Sequence, residues 1–539
     1  MSAFALPELS PAAAPEFVDA QECKAWLEHV PLANVGASQR QLLEQAREFN
    51  RLPTAAANRC AVMEALREPV NFVQIEQAKR FTNRALPMTE GELAVFRETN
   101  ELWEEMRIGY LRCLEAALGG DAAMRAQGAL VCQRALAYSG LKMFHHYRAY
   151  RQVPAREWRG LNQAYAAAEE LEVAEEGVKD FLNRDVHDTS PRIAYARAAL
   201  MGMCNPNELA QRQLTFAAFL LERWAAKLEI GREPIPEEEG VSPLVVDLAG
   251  DRLPERMESS AAQKGGQVRY LDARKLAKSL RNRVGLLRKG ESPAKLALGE
   301  DCVQPSCEQM LIFLFRQWCQ GKPARSAERR PAAGQAQACN ELAAIHYFIS
   351  GRVFRQPSTA TELTKKQREE IATFGRISTR DDEDHAQTFV VEPWQIEDES
   401  AQGVRIVRRA GTPGKRYAHG QLVAVRPSDA KGFLLGQVRW LMAADNGDLH
   451  AGIRLLPGLP AACAVRPTGL NVQNEKFVPA LSLGPVPALQ APPSLVLPLG
   501  WFKPKRVLEL YIDTVVRARL TEVLERGLDF ERVGFEVLP

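Results

Sequence analysis

The chain has 539 residues, 46% of them hydrophobic and 25% charged, with a formal net charge of +2. That length is too great for one core, and roughly 150 residues per domain predicts three or four units. The near-neutral balance excludes a protein that binds polyanions over its whole surface, so a nucleic acid, membrane or acidic partner would have to meet a local patch.

The start, Met1-Ser2-Ala3-Phe4-Ala5-Leu6-Pro7, lacks the basic residues and apolar run of a secretory signal, and a cytoplasmic protein is expected. Residues 1–20 are rich in Ala and Pro and are read as a loose arm. A helical domain follows over 21–228. In it Leu93, Phe96, Trp103, Met106, Tyr110, Cys113 and Ala117 recur at steps of three, four and seven, one stripe of an amphipathic helix. Further helices are predicted over 122–150 and 156–171, broken at Gly119-Gly120 and Val153-Pro154, and another carries Leu209 to Trp224 after Asn205-Pro206. No repeat signature recurs, so an irregular helical array is expected rather than a solenoid. Its apolar stretches, such as Phe216 to Leu221, fall far short of the ~20 residues that span a bilayer. His145-His146 has no carboxylate or Cys at metal-ligand spacing, and His187 beside Asp185 and Asp188 lacks the third member of a triad.

Residues 229–242 form an acidic, Pro-rich connector, and 243–320 a small mixed unit with strands at 244–248 and 268–271 and a basic helix over 273–287. That helix has no interleaved aromatic set, which favours a solvated face over a nucleic-acid surface. The ten cysteines are dispersed, Cys302 and Cys307 being the closest pair, without a C-x-x-C; reduced core thiols are expected, with no metal and no cofactor. Residues 321–338, rich in Arg, Ala and Pro, read as a linker, and 339–375 as a helical lead-in with helices at 339–349 and 362–374.

From there the period changes to two. Strands are predicted over 389–396, 404–407, 421–425, 433–442 and 449–456, with a turn at Gly411-Thr412-Pro413-Gly414. Asp445-Asn446-Gly447-Asp448 predicts a hairpin, since Asn-Gly tolerates the positive φ of a type I′ turn. Short strands with tight turns give a small antiparallel barrel over 376–480, and a β-rich extension over 481–539 with strands at 495–498, 507–511, 515–524 and 530–537. The fold class is multidomain α + β.

Two motifs carry the chemistry. Arg376-Ile377-Ser378-Thr379-Arg380 is R-x-x-x-R, and eighteen residues on Asp398-Glu399-Ser400-Ala401-Gln402-Gly403 is D-x-S-x-x-G on a predicted strand. An Arg pair alone is common in this chain (Arg325/Arg329 and Arg405/Arg409 also match); order, spacing and strand context give the conjunction its weight. Together the motifs resemble the ligand signature of PilZ domains, which bind the bacterial second messenger cyclic di-GMP. Later segments, Gly436-Gln437-Val438-Arg439-Trp440 and Gly452-Ile453-Arg454-Leu455, also look like PilZ strands. The resemblance covers Arg376 to Leu456 and implies a PilZ-like barrel that takes cyclic di-GMP at Arg376, Arg380, Asp398, Ser400 and Gly403. The layout is similar to long proteobacterial PilZ proteins with a helical N-terminal region, whose outputs are motility, pili or surface polysaccharide.

The residue types suit that ligand. A guanidinium forks onto phosphate oxygens, pairs with guanine O6 and N7 and stacks on planar rings. Asp398 and Ser400, two apart on a strand, share one face; a carboxylate accepts from guanine N1–H and N2–H, and a hydroxyl bridges base or phosphate. Gly403 permits close backbone approach. Asp381, Asp382, Glu383 and Asp384 directly follow Arg380 and oppose anion attraction there. Walker A, G-x-S-x-G and H-E-x-x-H motifs are absent, as are G-G-D-E-F and E-A-L in the contexts of this messenger's own enzymes, so no enzyme is expected. The leading expectation is a cyclic di-GMP receptor that signals through its helical region to a protein partner. The alternative is a scaffold or adaptor whose PilZ-like barrel no longer binds nucleotide.

Overall fold

The structure is a computed structural model that describes residues 4–238, 240–257, 266–299, 302–320, 330–357, 389–468 and 475–539. It divides into two compact units: Met1–Arg84 with Met88–Arg325, and Ala85–Pro87 with Ser326–Pro539.

The first unit is built on α1 (Ala20–Leu27), α2 (Val35–Arg51), α3 (Ala56–Ala78), α4 (Glu90–Leu118), α5 (Ala122–Ala126), α6 (Gly128–Arg148), α7 (Ala155–Glu170), α8 (Pro191–Met203) and α9 (Gln211–Trp224). The predicted stripe lies on α4, where Trp103, Met106, Tyr110, Cys113 and Ala117 are buried. A reciprocal cap starts this helix: Glu92 N donates to Thr89 Oγ1 (3.2 Å), and Thr89 N to Glu92 Oε2 (2.9 Å). Between α7 and α8 a short hairpin pairs β1 (Val178–Lys179) with β2 (Asp188–Thr189). Then come β3 (Glu229–Gly231), β4 (Leu244–Asp247), β5 (Glu255–Arg256), β6 (Val268–Asp272), α10 (Arg274–Arg288) and α11 (Ser306–Trp318), the strands forming a sheet in the order β3-β6-β4-β5.

Three expectations are corrected here. Within the arm expected over 1–20, the described residues from 4 on are packed rather than loose, because their aromatics have apolar partners: Phe17 is fully buried, 5.3 Å from the Trp26 ring and 5.6 Å from Phe49. The stretch 243–320 is no separate unit, since Leu244, Leu271, Leu276, Leu311 and Trp318 share one core with the helices, and Trp318 Nε1 donates to the Leu200 carbonyl (2.8 Å). Eight cysteines are buried free thiols, but Cys302 and Cys307 are joined as a disulfide, their Cα atoms 5.0 Å apart.

In the second unit β7 (Arg330–Asn340) leads into α12 (Leu342–Ser350). Next come β8 (Glu392–Ser400), β9 (Gly403–Arg408), β10 (Leu422–Pro427), β11 (Leu434–Ala443) and β12 (Leu449–Leu455). They close a barrel in the order β7-β8-β9-β12-β11-β10, every neighbouring pair antiparallel. So 330–338 is strand rather than linker. Its composition concealed it because the strand buries alanines: Ala336 and Ala338 are almost fully buried, with Ala336 paired opposite Trp394. The predicted helix at 339–349 starts later, since Cys339 and Asn340 end β7; that at 362–374 lies outside the described residues.

The β-rich extension is a second closed barrel. It consists of β13 (Pro460–Pro467), β14 (Val478–Leu483), β15 (Ser494–Pro498), β16 (Val507–Tyr511), β17 (Val515–Arg526) and β18 (Phe530–Leu538). Its order is β13-β14-β15-β18-β17-β16, so the first strand of each barrel neighbours its second and fourth, and the rest follow the same circuit. The boundary between the barrels therefore falls between β12 and β13, not at 480, because β13 and β14 pair with β16 and β15. The Asn-Gly hairpin is present between β11 and β12, but only Gly447 has positive φ (+88°). Asn446 Oδ1 instead accepts from Asp448 N (3.0 Å), shaping a wider loop that needs one left-handed residue rather than the two of a type I′ turn.

Candidate functional site

Asp398 and Ser400 lie on β8, and a bulge decides which way they point. Trp394 and Ile396 face the barrel interior, 2% and 6% exposed. Strict alternation would send 398 and 400 inward as well. The register shifts between Ile396 and Asp398: Ile396 pairs with Ile406, and Asp398 with Arg405. Glu397 is the extra residue, and past it Asp398 and Ser400 stand on the outer face.

A second bulge on β11, between Val438 and Trp440, does the same for Trp440, which pairs with Gly452 while Val438 pairs with the buried Ile453. Since Arg405 also pairs with Gly452, one row crosses four strands on the outside of the first barrel: Asp398, Arg405, Gly452, Trp440. Gly452 keeps the row open, because a Cβ there would overlap the Trp440 indole. The indole thus lies over the Gly452 backbone, and the Arg405 guanidinium sits 5.6 Å from its ring centre. Arg405 Nε also pairs with Glu397 (2.5 Å), and Glu397 is 3.7 Å from His450 Nδ1. Burial first, and Arg405 after it, hold the His450 pKa below its ordinary value against the pull of Glu397.

The next outer row is Ser400, Gly403, Arg454, Gln437. Ser400 Oγ donates to the Gly403 carbonyl (3.2 Å) and accepts from Gln402 N (3.4 Å), so the hydroxyl shapes the β8–β9 turn. Gly403 has an ordinary negative φ and is needed for closeness: a Cβ there would stand 2.6 Å from the Ile453 carbonyl oxygen. Together the two rows offer a carboxylate, a hydroxyl, two guanidiniums and an aromatic plane on one surface. That is the donor and stacking set that suits an anionic ligand with planar bases.

Of the five residues expected at the site, the structure therefore brings Asp398, Ser400 and Gly403 together; Arg376 and Arg380, with the acidic run 381–384, lie outside the described residues. Arg405, Trp440 and Arg454 share this face and are not among the five expected residues. Their signal is period-two alternation on β9 and β12, together with the small Gly452 opposite a Trp; the bulge on β11 leaves no mark in the pattern.

The histidines near other polar groups take structural roles. His145 Nδ1 accepts from Trp103 Nε1 (2.9 Å), and His146 Nδ1 meets the Gln152 carbonyl (2.9 Å). Asp185 and Asp188, the carboxylates flanking His187, pair with Arg223 and Lys179. No cluster of three or more metal-ligating side chains occurs among the described residues.

An irregular helical unit followed by an antiparallel barrel with a D-x-S-x-x-G strand on its outer face defines a multidomain protein of PilZ type. Comparison with known proteins agrees. A model described as "Cyclic-di-GMP receptor FimW, N-terminal domain" matches residues 21–236, and one described as "FimW C-terminal beta-barrel domain" matches 463–538. A curated relative from Pseudomonas aeruginosa, "Cyclic-di-GMP receptor FimW", is 24% identical over 524 residues, spanning 89% of this chain and 84% of its own length. The chain is thus similar to FimW proteins over its helical part and over its second barrel.

Proposed function

We propose that the chain is a cyclic di-GMP receptor that takes its ligand on the outer face of the first barrel. The observation that carries this reading is the bulge-set row in which Asp398, Arg405 and Trp440 share one surface beside Ser400. That the curated Pseudomonas aeruginosa relative is named a cyclic di-GMP receptor supports it. In this reading the Asp398 carboxylate accepts from guanine N1–H and N2–H, the Ser400 hydroxyl bridges base and phosphate, and Arg405 and Trp440 supply planes for stacking. Arg376 and Arg380 neutralise the phosphates from the segment before β8.

The protein acts by binding rather than by catalysis, and the helical unit carries the signal to a protein partner by a ligand-dependent shift in population. A cytoplasmic setting is the one that the eight buried free thiols favour, against the single Cys302–Cys307 disulfide. Among the described residues no helix is long and apolar enough to cross a membrane.

Calorimetric titration with cyclic di-GMP tests the reading. Saturable binding by the wild type, lost when Arg376→Ala and Asp398→Ala are combined, is expected. A folded wild-type chain without measurable binding, or a double variant that binds unchanged, refutes it.

A further inference from the structure

Arg454 stands at the edge of the proposed site and is already held by a carboxylate from the other barrel. The register pairs Ser400 with Gly403 and Gly403 with Arg454, so all three share the outer face. Because Gly403 has no side chain, nothing on β9 separates the Ser400 hydroxyl from the Arg454 guanidinium. Arg454 is 46% exposed and pairs with Glu525 on β17, which is only 11% exposed. The turn after β17 fixes that carboxylate by docking on the start of β10: Leu528 N donates to the Gly420 carbonyl (2.8 Å), and Asp529 Oδ1 accepts from Leu422 N (2.9 Å). The corner is rich in cations. Arg439 and Arg532 both lie close enough to press on Arg454, adding to the burial that lowers its pKa.

We infer that Arg454 is a further phosphate ligand of the cyclic di-GMP site and that Glu525 is its resident counter-ion, exchanged for a ligand phosphate on binding. The inference rests on the receptor reading above. A guanidinium serves carboxylate and phosphodiester oxygens through the same fork of N–H donors, so the two anions compete for it. Exchange leaves the poorly exposed Glu525 carboxylate short of a donor, which works against ligand binding. Removing that charge frees Arg454 without moving it out of the row.

The test is calorimetric titration of the full chain with cyclic di-GMP at fixed salt, in wild type, Glu525→Gln, Arg454→Gln and the double variant. Arg454→Gln is expected to weaken binding about tenfold, the loss of one charge-assisted contact. Glu525→Gln is expected to tighten it about fivefold, and the double variant to match Arg454→Gln, as one coupled pair requires. Because Glu525 borders the barrel contact, Arg454→Lys is a second arm: it keeps the ion pair, loses the fork, and should bind about threefold more weakly than wild type. A Glu525→Gln protein that binds no more tightly than wild type overturns the inference. So does tightening that persists in the Arg454→Gln background, or an Arg454→Lys protein equal to wild type. A folded wild type that fails to bind overturns the receptor reading itself, an outcome distinct from these.

Discussion

Breaking the ion pair at the head of β8 should loosen the strand that carries Asp398 and Ser400. Glu392 opens that strand and is 1% exposed by side chain; Arg408 closes β9 and is 3% exposed, and the two meet at 2.5 Å. Arg408 Nη1 also donates to the Lys415 carbonyl (2.8 Å), and its guanidinium lies 5.3 Å from the Trp394 ring and 5.7 Å from Tyr417. Lys415 N donates to the other oxygen of Glu392. Gly414 lies so close that a Cβ would collide with both partners. Arg408→Leu removes one charge and strands the other in a site closed to water, which costs about 3–5 kcal/mol. Losing both charges, in Glu392→Leu with Arg408→Leu, should cost less, because nothing charged is left unpaired. In a chain of several domains a single melting temperature mixes transitions, so the assay is native-state hydrogen exchange on peptides from β8 and β9. Protection in the single variant should fall by about two to three and a half decades, at about 1.4 kcal/mol per decade, and partly recover in the double variant. A fall of less than tenfold, or a double variant as loose as the single one, refutes the reasoning.

Gly452→Val should expel the Trp440 indole from its place over the backbone and separate it from Arg405. Cyclic di-GMP affinity is then expected to drop about tenfold, the worth of one lost stacking plane, with a shifted Trp emission and an unchanged far-ultraviolet dichroism spectrum. In the helical unit, burial pushes His146 down to about 4 from an ordinary 6.5, with Lys142 and Arg151 adding to it against Glu157 and the Gln152 carbonyl. The folded state therefore keeps this ring neutral while the unfolded chain takes up a proton, so stability is full above pH 6.5 and falls as the pH drops toward 4. The loss is about 3 kcal/mol, and native-state hydrogen exchange on α6 peptides across that range, corrected for the intrinsic pH dependence of exchange, should show a correspondingly flatter profile for His146→Gln.

Where the fold was legible, side-chain period carried it. The stripe on α4 and the alternation on β9 and β12 each put large apolar residues at one phase, which one sequence is enough to show. Legibility failed where small residues do the packing. The strand β7 reads as an Ala- and Arg-rich linker because Trp394 and Tyr417 fill the barrel and leave β7 room only for Ala336 and Ala338. At the site, the spacing of Asp398 and Ser400 correctly put them on one face, but alternation alone does not say which face. Trp394, Ile396, Asp398 and Ser400 are all in phase, and only the extra residue at Glu397 turns the last two outward. A bulge costs one residue of register and leaves no compositional trace, so Arg405 and Trp440 join the site only once strand pairing is known.

The two barrels share one strand circuit, and the same face has opposite fates in each. In the first, the outside of β8, β9, β12 and β11 carries the row from Asp398 to Trp440. Across the matching strands of the second, β14, β15, β18 and β17, runs the row Leu481, Val496, Arg532, Glu525. Leu481 and Val496, with Leu483 and Phe530, are buried in one apolar cluster with Leu422, Leu435 and Leu456 of the first barrel and Ile345 of α12. The face that is polar and open in one barrel is apolar and covered in the other. Burying four such side chains is worth several kcal/mol, at about 1.5–3 kcal/mol each, enough to hold the barrels as one body. The charged end of the same row then emerges where Arg454 borders the proposed site, so the second barrel meets the ligand face through the surface by which it is docked. A barrel held in that way needs no site of its own to sense the ligand, because any anion that draws Arg454 away acts directly on the row that joins the two.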